Sequence, residues 1–270
     1  MRSSAVIEAW EKRNERYLAR FSGKRLLVTY SGGKDSSVCI HLLSGVSGKY
    51  DFGLEAHLYA FPRHLYGPGY REALEGYWKT RGIPLIYHEA DPADPEIRGL
   101  ADPCAVCQGI RKRALARLFS KVGVEPARMV IVSGHSLWDL AGYALEHLIG
   151  SELANPRGDD ARENERYLEI SQRFHPYLEM KEGFAVYRPM HFLNQQDIRM
   201  LRDETGVPPA DAACEYGERR PKKFLAKYFE KFGLEFSYDK VMAFAERHLG
   251  LEGKDSVEGM DREEFLGKRF

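Results

Sequence analysis

The sequence predicts an α/β protein with a doubly wound, mostly parallel sheet. Two observations carry that expectation. Apolar, β-branched runs alternate along the chain with segments of helical periodicity, the pattern of repeated strand–helix–strand units. The first run, Leu26-Leu27-Val28-Thr29-Tyr30, breaks directly into Ser31-Gly32-Gly33-Lys34-Asp35-Ser36-Ser37. Val38, Ile40, Leu42 and Leu43 then supply an apolar helical face. Strand, glycine turn and helix start form a corner that binds phosphate. The unpaired N–H groups of a helix N-terminus point at an anion, and the helix dipole favours its charge.

The elements follow in order. Val6, Ile7, Trp10, Tyr17, Leu18 and Phe21 recur at helical spacing and predict an amphipathic opening helix. Residues 25–30 are the first strand, and the helix after the glycine turn runs to about Leu43. Leu54 to Ala60 reads as a second strand, Tyr70 to Arg81 as a helix and Ile83 to His88 as a third strand. Cys107 to Val122 places Ile110, Ala114, Leu115 and Leu118 on one helical face. Met129 to Val132 is a short buried strand, and Trp138 to Ile149 is helical. Residues 151–173 are polar and rich in turn formers, which predicts an exposed loop. Phe184 to Tyr187 is a further strand, followed by a helix from Asn194 to Thr205. Beyond Cys214 the chain reads as helical, and the apolar positions from Phe224 onward fit a helical core or a dimer face. This divides the chain into an N-terminal helix (1–22), a catalytic domain (23–215) and a helical C-terminal extension (216–270).

Composition bounds the partners. Of 270 residues, 43% are hydrophobic and 30% charged, enough for a sizeable core. Forty basic and forty acidic residues cancel, so no global positive field draws in nucleic acid. Two local clusters remain: Arg111, Lys112, Arg113 and Arg117, then Arg219, Arg220, Lys222 and Lys223. The opening segment is charged rather than signal-like, and no apolar run approaches the ~20 residues that span a bilayer. A cytoplasmic location without membrane association is expected.

The glycine corner is the first candidate site. Gly32 and Gly33 permit positive φ and close backbone approach, and Ser31, Ser36 and Ser37 add hydroxyl donors. No second glycine precedes Lys34 at the spacing of the common nucleotide triphosphatase loop. The segment instead resembles the Ser-Gly-Gly-x-Asp-Ser pyrophosphate loop of the ATP pyrophosphatases, the PP-loop superfamily. That resemblance implies an adenine nucleotide alpha hydrolase-like fold, ATP with Mg2+, and cleavage between the α- and β-phosphates. It makes Ser31, Gly32, Gly33, Lys34, Asp35, Ser36 and Ser37 nucleotide-binding residues, with Asp35 holding the metal or ordering the loop. Ligands of such sheets lie beyond the carboxyl ends of the strands. Ala60 and the pair Gly134-His135, each at a strand end, therefore border the same crevice.

The second candidate site is Asp102-Pro103-Cys104-Ala105-Val106-Cys107, which sets two thiols at the mouth of a helix. Read alone, it fits a redox pair, half of a zinc site or part of an iron–sulfur centre. The chain has four cysteines; Cys39 reads as a core residue and Cys214 offers a third thiol. Together with the loop, these residues resemble the tRNA thiolation enzymes of the two-thiocytidine and two-thiouridine type. The shared features are Cys104-x-x-Cys107 with Arg111-Lys112, then Gly134-His135-Ser136-Leu137-Trp138-Asp139, then Arg188-Pro189-Met190, then Cys214-Glu215-Tyr216. Trp138 stands where the family has the first of two aspartates, Gln108 replaces a glycine, and the zinc knuckles of one branch are absent.

The resemblance implies a [4Fe-4S] cluster on Cys104, Cys107 and Cys214, with zinc as the alternative metal. It also implies catalytic roles for Asp35, Arg111, Lys112 and Asp139. The expected reaction adenylates a carbonyl oxygen, releases pyrophosphate and replaces the oxygen with sulfur from a sulfide or persulfide donor. The acceptor is expected to be a tRNA base, and a homodimer is compatible with the sequence. Two alternatives stay open: an enzyme thiolating or amidating a small molecule, and a nucleotide-binding redox-sensing regulator.

Overall fold

The strand that opens the glycine corner, β1 (Arg25–Tyr30), lies in the middle of the sheet. The computed structural model describes residues 2–149, 170–209, 214–219, 221–251 and 253–266. Among these, five further strands are β2 (Gly53–Ala60), β3 (Leu85–Glu89), β4 (Met129–Val132), β5 (Tyr177–Glu179) and β6 (Ala185–Tyr187). The spatial order is β3-β2-β1-β4-β6-β5. Every neighbouring pair is parallel except β5 with β6, which is antiparallel. The expected mostly parallel, doubly wound sheet is therefore present. Its order reverses between β1 and β4, and the loops leaving those two strands flank the crevice where such sheets bind ligands.

Alternation along the strands splits the core. Leu26, Val28, Val130 and Val132 face one buried cluster, and Leu27, Met129 and Ile131 face another. Among the described residues, the longer helices are α1 (Arg2–Leu18), α2 (Lys34–Tyr50), α3 (Pro68–Lys79), α4 (Pro103–Lys121), α5 (Leu137–His147), α6 (Gln195–Thr205), α7 (Pro221–Lys231) and α8 (Tyr238–His248). Short turns of helix follow at Lys254–Val257 and Arg262–Leu266. Trp10 of α1 and Trp78 of α3 are buried in the first cluster, where each large apolar side chain contributes roughly 1.5–3 kcal/mol. α5, α7 and α8 share a third cluster that includes Trp138, Phe229 and Ala245.

Two expectations need correction. α2 runs to Tyr50 rather than ending near Leu43. Its Ser and Gly positions are weak helix formers, but buried Val46 holds the last turns and Asp51, at φ 53, caps them. The exposed loop expected over 151–173 fails at its end: Ile170, Ser171 and Gln172 are buried, and residues 151–169 lie outside the described ones. Ile170 and Phe174 join the third cluster, and Gln172 accepts a hydrogen bond from buried Arg188 (2.8 Å). Of the apolar positions from Phe224 onward, Leu225 and Phe229 join the third cluster, whereas Phe224 and Tyr228 are exposed. Among the described residues, no helix is long and apolar enough to cross a membrane.

Candidate functional site

The glycine corner has the shape its sequence requires. Gly32 adopts φ 72, the left-handed region, and a Cβ there would sit 2.5 Å from the Tyr70 hydroxyl. Gly33 is extended and caps α2, so the N–H groups of Lys34, Asp35 and Ser36 begin the helix without intrahelical partners. Ser36 and Ser37 each donate to the Gly33 carbonyl at 3.0 Å, and the Ser31 hydroxyl lies 3.1 Å from that of Ser36. Ser31, Gly33 and Lys34 remain exposed. The result is a fixed backbone cradle whose open side faces the crevice.

Two tyrosines hold that cradle from outside. The Tyr66 hydroxyl donates to the Ser31 carbonyl (3.1 Å) and the Tyr70 hydroxyl to the Gly32 carbonyl (3.0 Å). The Tyr66-Gly67-Pro68-Gly69 turn thus pins the glycine corner next to it. Arg111 joins this brace: its guanidinium donates to the Phe61 carbonyl (2.7 and 3.1 Å) and to the Tyr66 hydroxyl (3.4 Å). Ala60, just before that loop, is fully buried at the end of β2. Lys112 is half-buried on the same helix as Arg111.

Beside the cradle stands an acidic centre assembled from four parts of the chain. Gln195, at the start of α6, donates to an Asp35 carboxylate oxygen (2.8 Å) and to the Ser136 hydroxyl (3.1 Å). Ser136 caps α5, and the Asp139 carboxylate accepts its backbone N–H at 2.7 Å. The other Asp139 oxygen pairs with the Lys222 ammonium, delivered by α7. Burial raises the Asp35 carboxyl above its usual range. Asp139 adds to the rise, and Lys34, Gln195 and Lys222 oppose it. Burial alone would lower the Lys222 ammonium, but Asp139, Tyr143 and Asp35 outweigh it and hold the charge on.

The loop after β4 closes the crevice. A Cβ on Gly134 would lie 3.1 Å from the Ser36 Cα, so a larger residue would press this loop off the start of α2 by a few tenths of an ångström. His135 shares a 3.0 Å contact with the Ser133 hydroxyl and meets Tyr143 edge-on. Burial holds its pKa well below the ordinary imidazole value, with Lys222, Arg173 and Arg188 adding to the effect, so the ring is neutral. Trp138, at the position of the missing aspartate, points away. It is buried against Phe229 of α7 with ring centroids 5.5 Å apart.

The cysteine site is built at the first turn of α4, capped by Asp102, whose carboxylate accepts the Ala105 N–H (2.9 Å). The Cys104 thiol faces the Tyr216 carbonyl (3.9 Å), two residues beyond Cys214. Cys107 is buried with Phe61, Ile97 and Ile110, and the Tyr216 ring packs on the same cluster. The Cys214 segment is therefore anchored beside the CxxC helix. Among the described residues, no three Cys, His, Asp or Glu side chains stand together as a ready metal site. Cys39 is fully buried, as a core residue should be. His57 and His88 pack together, ring nitrogens 2.9 Å apart, and His57 also lies 3.3 Å from the Glu55 carboxylate.

Gln195, Tyr66, Tyr70 and Lys222 belong to the site but were not singled out from sequence. Lys222 was legible only as one member of a basic cluster, and Tyr70 only as the start of a helix.

No family model matches the chain. Among curated proteins it is similar to cytoplasmic tRNA 2-thiolation protein 1 of Saccharomyces cerevisiae, 29% identical over 143 residues, covering 49% of this chain and 38% of that protein. The Caenorhabditis briggsae protein of the same name is 28% identical over 219 residues, covering 76% of this chain and 53% of that one. The chain thus spans well under two thirds of the length of these relatives. Among solved structures it is similar to the U34-tRNA thiolase NcsA from Methanococcus maripaludis with its [4Fe-4S] cluster. The TM-score is 0.60 at 16% identity, covering 93% of this chain and 77% of that one. The two share a fold, a mostly parallel, doubly wound sheet of the kind expected from the sequence.

Proposed function

We propose that this chain is an ATP-dependent sulfurtransferase that thiolates a tRNA base. The observation that carries the reading is the rigid cradle of Ser31 to Ser37 opening onto Asp35, Asp139 and Lys222 at the sheet's switch point. The cradle's N–H groups and hydroxyls bind the phosphates that ATP loses together, and Lys34 adds charge to them as they leave. Asp35 and Asp139, coupled through Gln195 and Ser136, form a donor pair that suits Mg2+, with oxygen ligands alone. The acceptor's carbonyl oxygen attacks the α-phosphate and the α–β bond breaks, releasing pyrophosphate. A sulfur nucleophile then adds to the same carbon, and AMP departs with the former carbonyl oxygen. Arg111, through Tyr66, keeps the Ser31 carbonyl in place and so acts as a positioning residue.

Cys104, Cys107 and Cys214 would hold a [4Fe-4S] cluster in this reading: their three thiols do not converge in this structure, and the support is their soft-ligand chemistry and the Tyr216 carbonyl, two residues past Cys214, lying 3.9 Å from the Cys104 thiol. When bound, the cluster supplies an iron without a protein ligand that can hold sulfide. The related thiolation proteins support tRNA as acceptor, and their names support a cytoplasmic location. A small-molecule acceptor is the second reading, favoured by the zero net charge and by Trp138 in place of an acid.

The test is anaerobic incubation with ATP, Mg2+, sulfide and an unmodified tRNA transcript, followed by mass spectrometry of its nucleosides. A thionucleoside is the expected product; its absence under conditions that consume ATP with a small acceptor selects the second reading. Iron and acid-labile sulfide should copurify, and Cys214→Ala should lose them while retaining ATP binding. Stoichiometric zinc without sulfide contradicts the cluster assignment.

A further inference from the structure

α7 has two unlike faces. One buries Phe229 and Leu225 in the cluster shared with α5 and α8. The other displays Phe224 and Tyr228, and Phe232, the residue just after the helix, continues the line with its ring 4.7 Å from that of Tyr228; the three are 70%, 51% and 58% exposed. These recur every four residues, about 6 Å along the helix axis, and form one row. Lys223, Lys227 and Lys231 recur at the same interval and form an exposed row directly alongside. Large aromatics exposed in series mark a surface that another molecule covers.

Position ties this surface to the candidate site. At the N-terminal end of α7, Lys222 reaches inward to Asp139. Near the other end, Glu230 pairs with Arg199 of α6 and feels the charge of Lys34 in the cradle. The helix therefore lies along the rim of the crevice, with its aromatic row outermost.

We propose that the exposed face of α7 docks the RNA acceptor, with unstacked bases lying on Phe224, Tyr228 and Phe232 and backbone phosphates meeting Lys223, Lys227 and Lys231. The inference rests on the tRNA reading above and adds where the RNA lies. Aromatic platforms beside lysines are how single-stranded nucleic acid is held without sequence preference, because every base has a π-face. A second copy of this chain fits the face less well. A two-fold contact along α7 would set lysine row against lysine row, and the nearby acids Glu218 and Glu230 are already paired with Lys227 and Arg199. Polyanionic RNA neutralises the same charges. It also reconciles an RNA substrate with a chain of zero net charge, since the positive field needs to exist only here.

The test compares three proteins by fluorescence anisotropy with a labelled tRNA transcript and with a short oligouridylate. They are the full chain, Phe224→Ala/Tyr228→Ala/Phe232→Ala, and Lys223→Gln/Lys227→Gln/Lys231→Gln. The aromatic variant should lose at least about tenfold in affinity for both RNAs. The lysine variant should lower the slope of log K against log salt by about 2, since each phosphate contact to a single strand contributes ~0.7. Both should bind a fluorescent ATP analogue as the full chain does, because none of the six side chains enters the cradle. Full-chain RNA binding that both variants retain overturns the docking surface and leaves the tRNA reading standing. A full chain that binds no tRNA overturns both. A dimeric full chain that the aromatic variant converts to monomer, with RNA affinity unchanged, assigns the face to a second copy instead.

Discussion

Asp35 is placed where binding and stability ask for opposite things. Its carboxylate is half-buried beside Asp139, and burial holds its pKa above the ordinary value. The linkage has a definite sign. Below the ordinary value of about 4 the group is protonated in folded and unfolded chains alike and costs nothing. As pH rises through the folded-state value, the folded chain must ionise a carboxyl it disfavours, and the cost is complete above it. Asp35→Asn, without nucleotide, should therefore melt at a higher temperature than the parent at pH 7, with the margin closing towards pH 4. A lower melting temperature at pH 7 would show that Asp35 stabilises the free protein. The same substitution should abolish Mg-dependent nucleotide binding. Lys222 makes the complementary case. Lys222→Ala leaves Asp139 mostly buried without its cation and should cost about 1–3 kcal/mol, less than a fully enclosed pair because Lys222 is part-exposed. Lys222→Arg should recover most of that loss in thermal unfolding.

At the scale of elements, what could be read from the sequence follows from how local each signal is. β1, the glycine corner and the start of α2 are contiguous, and their periodicity and turn residues specify them without outside help. The end of α2 was hidden, because Gly45 and Gly48 argue against a helix that tertiary burial of Val46 sustains. β5 is three residues long and pairs antiparallel at the sheet's edge, too short for any alternation to register. Trp138 illustrates a residue whose meaning depends on a distant helix. In the sequence it is a departure from an acidic motif, whereas in the fold it is the anchor between α5 and α7. Restoring an acid there with Trp138→Asp should destabilise the protein by at least 3–5 kcal/mol, roughly the cost of truncating a buried aromatic, measured by denaturant unfolding. An unchanged midpoint would mean that α7 is held by other contacts.

Across the whole molecule, the site is a convergence of segments far apart in the chain. Gln195 reaches Asp35 across 160 residues of sequence, and Lys222 reaches Asp139 from the C-terminal helices. No spacing rule links such pairs, so the acidic centre was only half legible: its two carboxylates were singled out, and the groups that orient them were not. The sheet itself was legible because its parallel order follows from alternation and right-handed crossovers. That order brings the ends of β1 and β4 together, and with them the cradle and the Gly134 loop. The function proposed for the cradle makes a specific statement about which bond of ATP is broken. It is tested by product analysis with α- and γ-labelled ATP, tRNA transcript and sulfide under anaerobic conditions. AMP and pyrophosphate released in equal amounts, and only with the acceptor present, is the predicted result; ADP and inorganic phosphate would contradict it.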